Sequence, residues 1–210
     1  MNTRLLAALP VKSFDIAKKR LSDLLVSSQR ARLGEEMATR TARASISAGA
    51  EVAVVTGDEE VARWATRLGL EVIPEPAEGG LNQAAAEALR AARQRGAAWC
   101  IVHADLPVIG PDDLRAVFRP VMQDGVVLAP SINGGTNLLA GDVDAFEFSY
   151  GMGSFARHLR RAAHLRRRVV IRTGSALDLD TPEDLQRAVR LRDGRWLSDY
   201  LRPPAMGARA

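Results

Sequence analysis

The chain has 210 residues, of which 47% are hydrophobic and 26% are charged, and its formal net charge is +4. These values are typical of one globular domain with a sizeable core and leave little length for a second. The apolar first residues are interrupted by Pro10 and Lys12 before they reach the length of a membrane span, and no cleavage-like segment follows. We therefore expect a cytoplasmic protein without membrane contact.

The basic residues do not by themselves indicate nucleic-acid binding. Arginines are spread along the chain, and aromatic residues, at 5%, are too few for a base-stacking platform, so no nucleic-acid partner is expected. One dense block, Arg160-Arg161 with residues 166–168, is either a solvated helix end and loop or a surface that attracts small polyanions. The composition leaves the formation of a homo-oligomer open.

Strands and helices alternate through the first half of the chain. This order predicts an α/β fold with a mostly parallel sheet and helices on both faces. Apolar runs predict strands at residues 4–11, 51–56, 70–74 and 97–105, and amphipathic spacing predicts helices at residues 27–48, 58–68 and 83–95.

The loop after the first strand carries a cluster of positive charge. Only three of the 29 basic residues are lysines, and all three lie within the first twenty positions. Lys12, Lys18 and Arg20 follow the carboxyl end of a strand, where α/β proteins hold phosphates. The loop is therefore a candidate nucleotide-phosphate site, with a plain solvated loop as the alternative. It lacks the glycines of a P-loop.

Two further segments of the first half are candidates for ligand contact. Gly80 and Asn82 precede the third predicted helix, where they either approach a nucleotide or, in the case of Asn82, cap the helix. Asp105 ends the fourth strand, at the edge where open α/β sheets bind ligands, and is either a metal ligand or a loop-capping acid. His103 is expected to point away from it, and the buried Cys100 to serve packing.

The second half continues with a helix from Pro111 and a strand at residues 125–130. Paired glycines then precede Thr136, so the backbone there can wrap closely around a ligand. Gly151 and Ser154 lie at a predicted helix N-terminus, where free amides and the helix dipole favour an anion; a simple serine cap is the alternative. A further strand is predicted at residues 169–172.

An acidic segment closes the domain. Asp178 and Asp180 project to the same side of an extended stretch, and like charges this close repel unless a cation lies between them. With Asp105 they would supply three carboxylates for one or two Mg²⁺ ions. Thr181, Pro182 and Asp184 form a helix start with a capping box. We expect the domain to span residues 1–192 and the tail, residues 193–210, to be loosely ordered.

Six motifs, in order from about residue 4 to residue 190, resemble the guanylyltransferases of coenzyme F420 biosynthesis. The motifs are Val11-Lys12 with Ala17-Lys18-Lys19-Arg20-Leu21, Gly80-Leu81-Asn82, Ala104-Asp105-Leu106-Pro107, Gly135-Thr136-Asn137, Gly151 with Gly153-Ser154-Phe155-Ala156-Arg157-His158, and Asp178-Leu179-Asp180-Thr181-Pro182-Glu183-Asp184-Leu185. Each motif alone is weak, but six in sequence are specific. One departure is Ser131-Ile132, where a more polar, often basic, pair is expected.

The resemblance implies a Rossmann-like (GT-A-like) nucleotidyltransferase fold and a transfer of GMP from GTP. The acceptor it implies is phosphoenolpyruvate, with 2-phospho-L-lactate or another phosphorylated three-carbon acid as the alternative. Carried over by position, Asp105, Asp178 and Asp180 would hold Mg²⁺, and Thr136, Gly151 and Ser154 would bind the acid. Lys12, Lys18 and Arg20 would hold the triphosphate.

Two competing hypotheses make different predictions. A molybdopterin or sugar-phosphate type of nucleotidyltransferase would carry a glycine-rich first loop, which residues 10–20 lack. A non-catalytic basic protein would bind DNA or RNA with a steep salt dependence.

Overall fold

The computed structural model describes residues 4–15, 18–75, 79–121 and 125–201. Ala17 of the first motif lies outside the described residues. The strands are β1 Leu5–Pro10, β2 Glu51–Thr56, β3 Glu71–Pro74, β4 Ala98–Val102, β5 Val126–Pro130, β6 Thr136–Gly141 and β7 Arg167–Val169. The α-helices are α1 Ser27–Ser47, α2 Glu59–Arg67, α3 Leu81–Gln94, α4 Pro111–Val121, α5 Ser154–Arg161, α6 Thr173–Ala176 and α7 Pro182–Val189. Two 3-10 helices span Lys19–Leu21 and Arg192–Leu201.

The strands form one sheet in the order β3-β2-β1-β4-β6-β5-β7. Only β6 runs against its neighbours, pairing antiparallel with both β4 and β5. The crossover helices between parallel strands cover both faces, which makes the central strands apolar on both sides. In β4, Ala98 and Cys100 pack into one face of the core, while Trp99 and Ile101 pack into the other. The predicted α/β class with a mostly parallel sheet is confirmed.

The C-terminal segment is more ordered than the sequence predicted. Residues Arg192–Leu201 form a 3-10 helix, and Leu197 is fully buried in a third apolar cluster with Leu185. The indole of Trp196 donates a hydrogen bond to the Pro107 carbonyl (3.0 Å). The expectation of a loose tail from residue 193 is therefore wrong as far as residue 201. Residues 202–210 lie outside the described part of the chain.

Three elements have a boundary that differs from the sequence prediction by two residues or more. The fourth strand ends at Val102, not at Asp105. The last strand is residues 167–169, not 169–172, because its register is set by parallel pairing with β5, which no local pattern encodes. The third helix begins at Leu81, two residues before the predicted start, and Gly80 is its N-cap. Asn82 therefore does not cap the helix. Among the described helices, none combines the length and hydropathy needed to cross a bilayer.

Candidate active site

Three carboxylates meet at the carboxyl ends of the central strands. Asp105 follows β4, and its carbonyl accepts a hydrogen bond from the Leu179 amide (3.1 Å), which holds the acidic segment beside the strand end. Asn137 on β6 supports the other side, since its amide nitrogen donates to the Ser175 carbonyl (3.0 Å) and to Asp178 Oδ1 (3.4 Å). The fold thus brings Asp178 and Asp180 to Asp105 from more than seventy residues away.

A lysine ammonium lies between two of these carboxylates. Lys18 Nζ is 2.7 Å from Asp105 Oδ2 and 2.9 Å from Asp180 Oδ1, and its side chain is only 8% exposed. Lys18 also has a left-handed backbone (φ 56°), a conformation that costs a non-glycine residue about 1 kcal/mol or more. It is the one non-glycine residue with positive φ among those that the structure describes. The strained backbone at Lys18 therefore accompanies the placement of its ammonium group between the two carboxylates.

The electrostatics follow from this arrangement. Burial works against the charged ammonium, yet Asp105 and Asp180 outweigh it and raise the pKa of Lys18. Burial likewise works against the Asp105 carboxylate, but Lys18 prevails and lowers its pKa. No cation among the described residues forms an ion pair with Asp178, and burial and the charge of Asp105 raise its pKa. Repulsion among the acids is thus only partly compensated by Lys18.

Carboxylate oxygens are the donors that a hard divalent cation such as Mg²⁺ prefers. As they stand, no three His, Cys, Asp or Glu side chains in the described residues are arranged to hold a metal ion. Mg²⁺ does not require three, because it is commonly held by one or two carboxylates together with substrate phosphates and water. Asp105 Oδ1 is buried and has no hydrogen-bond partner among the described residues, so a free acceptor remains beside the ammonium.

A cavity of about 330 Å³ opens beside the carboxylates. Lys12 and Lys18 of the basic loop line it together with Asp105. Arg20 is exposed and is not among the described residues that form its wall. His103 does line the cavity, contrary to the expectation that it points away, because β4 ends at Val102.

The cavity wall also contains an acid that the sequence did not single out. Glu75 follows β3, and its Oε1 is buried without a hydrogen-bond partner in the described part of the chain. Burial raises the pKa of this carboxyl group, against the lowering influence of Lys12. A buried and unpaired acceptor of this kind is costly unless a ligand satisfies it.

The glycine-rich segment, residues 149–154, adjoins Thr136, the first residue of β6. Thr136 and Ser154 are both buried, and their hydroxyl oxygens are 3.3 Å apart. The argument that α5 offers free amides is wrong for its first two residues, since Ser154 donates its N–H to the Gly151 carbonyl and Phe155 donates to Gly134. The hydroxyl groups of Thr136 and Ser154 remain as polar groups beside these two engaged amides.

Two side chains that the sequence left without a role hold this segment in place. Arg157 donates to the Ser149 and Tyr150 carbonyls (3.0 and 3.1 Å), and His158 bonds both Thr136 and the Ser149 amide. Asn82 closes the arrangement by accepting the Tyr150 N–H (2.6 Å). Arg157 and His158 belong to the same sequence motif as Ser154, and this shared motif is the signal from which their supporting roles could have been predicted.

The seven-stranded, mostly parallel sheet is the Rossmann-like α/β fold of known nucleotidyltransferases. Solved structures share this fold. One is a putative nucleotide-diphospho-sugar transferase from Desulfovibrio desulfuricans G20, with a TM-score of 0.74, 15% identity and coverage of 94% of this chain and 95% of that one. Another is a nucleotidyl transferase from Methanothermobacter, with a TM-score of 0.60, 19% identity and coverage of 88% and 95%.

The family model described as "Guanylyl transferase CofC like" matches residues 5–207, and the chain belongs to this family. It is 40% identical over 190 residues to a phosphoenolpyruvate guanylyltransferase of Rubrobacter xylanophilus, covering 86% of this chain and 91% of the relative. It is 31% identical over 198 residues to a 2-phospho-L-lactate guanylyltransferase of Methanothermobacter thermautotrophicus, covering 93% and 89%. A 3-phospho-D-glycerate guanylyltransferase of Phenylobacterium zucineum is 36% identical over 195 residues, covering 88% and 89%. The resemblance drawn from the six motifs is confirmed.

Proposed function

We propose that the protein transfers GMP from GTP to phosphoenolpyruvate and releases pyrophosphate, giving enolpyruvoyl-2-diphospho-5'-guanosine in the formation of coenzyme F420. The observation that carries the proposal is the meeting of Asp105, Asp180 and Lys18 within hydrogen-bond distance beside a cavity that Lys12 also lines. Acids and lysines at one strand edge are what binding of a metal-bound triphosphate requires.

In the proposed reaction, a phosphate oxygen of the acceptor attacks the α-phosphorus of GTP. The bond from the α-phosphorus to the bridging oxygen breaks, and pyrophosphate leaves with that electron pair. A phosphate monoester is already ionised near neutral pH, so the chain needs no general base. Lys12 and Lys18, together with Arg20, would balance the charge of the triphosphate and of the departing pyrophosphate.

Mg²⁺ is the proposed cofactor. Asp105, Asp178 and Asp180 would hold it, and when bound it would neutralise charge on the reacting phosphates. Lys18 now pairs with two of these acids, so it is in reach of any phosphate that approaches them.

The acceptor would bind on the other side of the carboxylates, at Thr136, Gly151 and Ser154. These three residues surround the turn that begins α5, and two of them contribute buried hydroxyls. Relatives named for phosphoenolpyruvate are 33–40% identical to this chain, against 28–31% for those named for 2-phospho-L-lactate, which favours phosphoenolpyruvate. The 36% identical relative named for 3-phospho-D-glycerate makes that acid the third acceptor to compare.

On the nucleotide side, Gly80 and Asn82 at the start of α3 would contact the nucleotide, and Glu75 is the proposed guanine-selecting group. Guanine presents two hydrogen-bond donors, N1–H and the 2-amino group, whereas adenine presents an acceptor at N1. The unpaired Oε1 of Glu75 is the complementary acceptor in the cavity wall. A buried acceptor discriminates strongly, because the wrong base leaves it unsatisfied.

The test is pyrophosphate release from GTP with Mg²⁺ and each of phosphoenolpyruvate, 2-phospho-L-lactate and 3-phospho-D-glycerate, with mass spectrometry of the products. We expect release with phosphoenolpyruvate to be fastest. Faster release with another acid would change the proposed acceptor but not the proposed reaction. No pyrophosphate release with any of the three acids would refute the proposal. When Asp180→Asn is measured in the same assay, Asp23→Asn is its control for nonspecific effects of charge removal, because Asp23 is an exposed acid of the first loop region.

A further inference from the structure

His158 is fully buried and bonded at both ring nitrogens. It lies in the first two turns of α5, and its ring contacts Tyr150 edge-on at a centroid distance of 4.7 Å. Nε2 is 2.8 Å from the Ser149 amide nitrogen, and Nδ1 is 3.0 Å from Thr136 Oγ1. The histidine therefore joins the glycine-rich loop to a residue of the proposed acceptor site.

These contacts determine which ring nitrogen carries the proton. A backbone amide can only donate, so Nε2 must accept the Ser149 N–H and is unprotonated. In a neutral imidazole the other nitrogen then carries the hydrogen, and Nδ1–H donates to Thr136 Oγ1. Burial and the nearby Arg157 charge lower the pKa of His158 to about 4, which keeps the ring neutral near pH 7.

This tautomer controls the two hydroxyl hydrogens of Thr136 and Ser154. The two hydroxyls bond each other, which uses one of their hydrogens. Because His158 donates to Thr136 and accepts nothing from it, the one remaining hydroxyl hydrogen is left for a ligand. In the opposite tautomer Nδ1 would accept the Thr136 hydrogen, and the pair would have none left to donate.

We infer that His158 is a positioning residue for the acceptor: its Nδ1–H fixes the Thr136–Ser154 pair so that one hydroxyl hydrogen points to an anionic oxygen of the phosphorylated acid. The inference rests on the proposed function, because it takes Thr136 and Ser154 as the acceptor-binding residues. Hydrogen bonds to a charged oxygen contribute about 1.5–3 kcal/mol each, so loss of this donor should weaken use of the acceptor about tenfold or more.

Two substitutions separate the two ring nitrogens. In His158→Asn the side-chain amide stands near the place of Nδ1 and keeps a donor for Thr136, but the Ser149 amide loses its acceptor. In His158→Gln the amide reaches the place of Nε2 and keeps that acceptor, but the donor to Thr136 is lost. A purely structural role predicts no ordered difference between these variants in acceptor use.

The experiment measures kcat/KM for phosphoenolpyruvate and KM for GTP in the wild type and both variants, alone and combined with Thr136→Val. We expect His158→Gln to fall about tenfold or more below His158→Asn in kcat/KM for the acid, with KM for GTP changed less than about twofold. In the Thr136→Val background the difference between the variants should nearly vanish. Equal losses in both variants, or a difference that persists without the threonine hydroxyl, would overturn the inference.

A second measurement does not depend on activity. Nitrogen-15 NMR of the wild-type histidines should show one ring in the tautomer protonated at Nδ1, assigned by its absence in His158→Gln; the opposite tautomer would overturn the inference. If both His158 variants fail to fold, Thr136→Val decides: a loss of about tenfold for the acid supports the inference, and full activity overturns it. A wild type that is silent with every acceptor but shows the Nδ1–H tautomer contradicts the proposed function and leaves the hydrogen-bond geometry established.

Discussion

Removal of the Lys18 ammonium is the perturbation whose effect the structure allows us to work out most fully. In Lys18→Met the methylene chain is kept, but Asp105 and Asp180 lose the cation that lies 2.7 and 2.9 Å from them. One such pair is worth roughly 6 kcal/mol at the effective dielectric constant of about 20 that suits partly buried sites. Desolvation of the ammonium offsets several kcal/mol of this attraction.

The net cost is set by the exposure of the acids that remain. Breaking a buried ion pair usually costs about 3–5 kcal/mol, and here the carboxylates are 31% and 43% exposed, so we expect the lower end, about 3 kcal/mol. For a chain of this length that corresponds to a fall in Tm of roughly 6–12 °C. Millimolar Mg²⁺ should restore about half or more of the fall in the variant, because the cation replaces the missing positive charge.

The assay is thermal unfolding in EDTA and in Mg²⁺, without nucleotide. Lys19→Met, which removes the neighbouring exposed lysine, is the matched control and should change Tm by less than about 2 °C in either buffer. A Lys18→Met protein as stable as the wild type in EDTA would show that the ion pairs contribute no net stability. A destabilised variant that Mg²⁺ does not rescue would refute the assignment of the carboxylates as a cation site.

Three further predictions concern Asp180, Glu75 and His158. Asp180→Asn should lower pyrophosphate release at least about a hundredfold with little change in Tm, because Lys18 keeps Asp105 as a partner; a large loss of stability would favour a structural role for this acid. Glu75→Gln should lower kcat/KM for GTP by about tenfold or more while changing that for ATP much less, and equal losses would contradict its role in base selection. The pKa of His158 is about 4 when folded and 6.5 when unfolded, so the unfolded chain binds the extra proton and stability falls as the pH falls through this window. Urea unfolding should show a loss of roughly 2 kcal/mol between about pH 7 and about pH 5 that is absent in His158→Asn.

Local patterns were sufficient to predict much of the fold. Continuous apolar runs predicted β2 at its observed bounds and the start of β4 within one residue, because strands buried on both faces need such runs. The end of β4 was predicted three residues too late, at Asp105 instead of Val102. The capping box at Thr181 and Asp184 is confirmed, since both of its hydrogen bonds form within four residues of chain. The predictions were wrong where contacts with distant residues determine the structure. Pairing with β5 sets the position of β7. Hydrogen bonds to the Pro107 carbonyl and from Tyr200 to Glu36 hold the 3-10 helix after α7.

The sequence by itself determined the fold class, the family, and which residue types stand at the strand ends, because strand periodicity, helix caps and motif spacing are local properties of the chain. Only the tertiary structure decided what those residues do to one another. It placed the Lys18 ammonium between two acids, engaged the first amides of α5 with carbonyls, and set the His158 tautomer through the Ser149 amide. Each of these arrangements depends on the distance between a donor atom and an acceptor atom. Several of the residues involved lie far apart in the chain, and spacing in the sequence does not determine the distance between them in the folded protein.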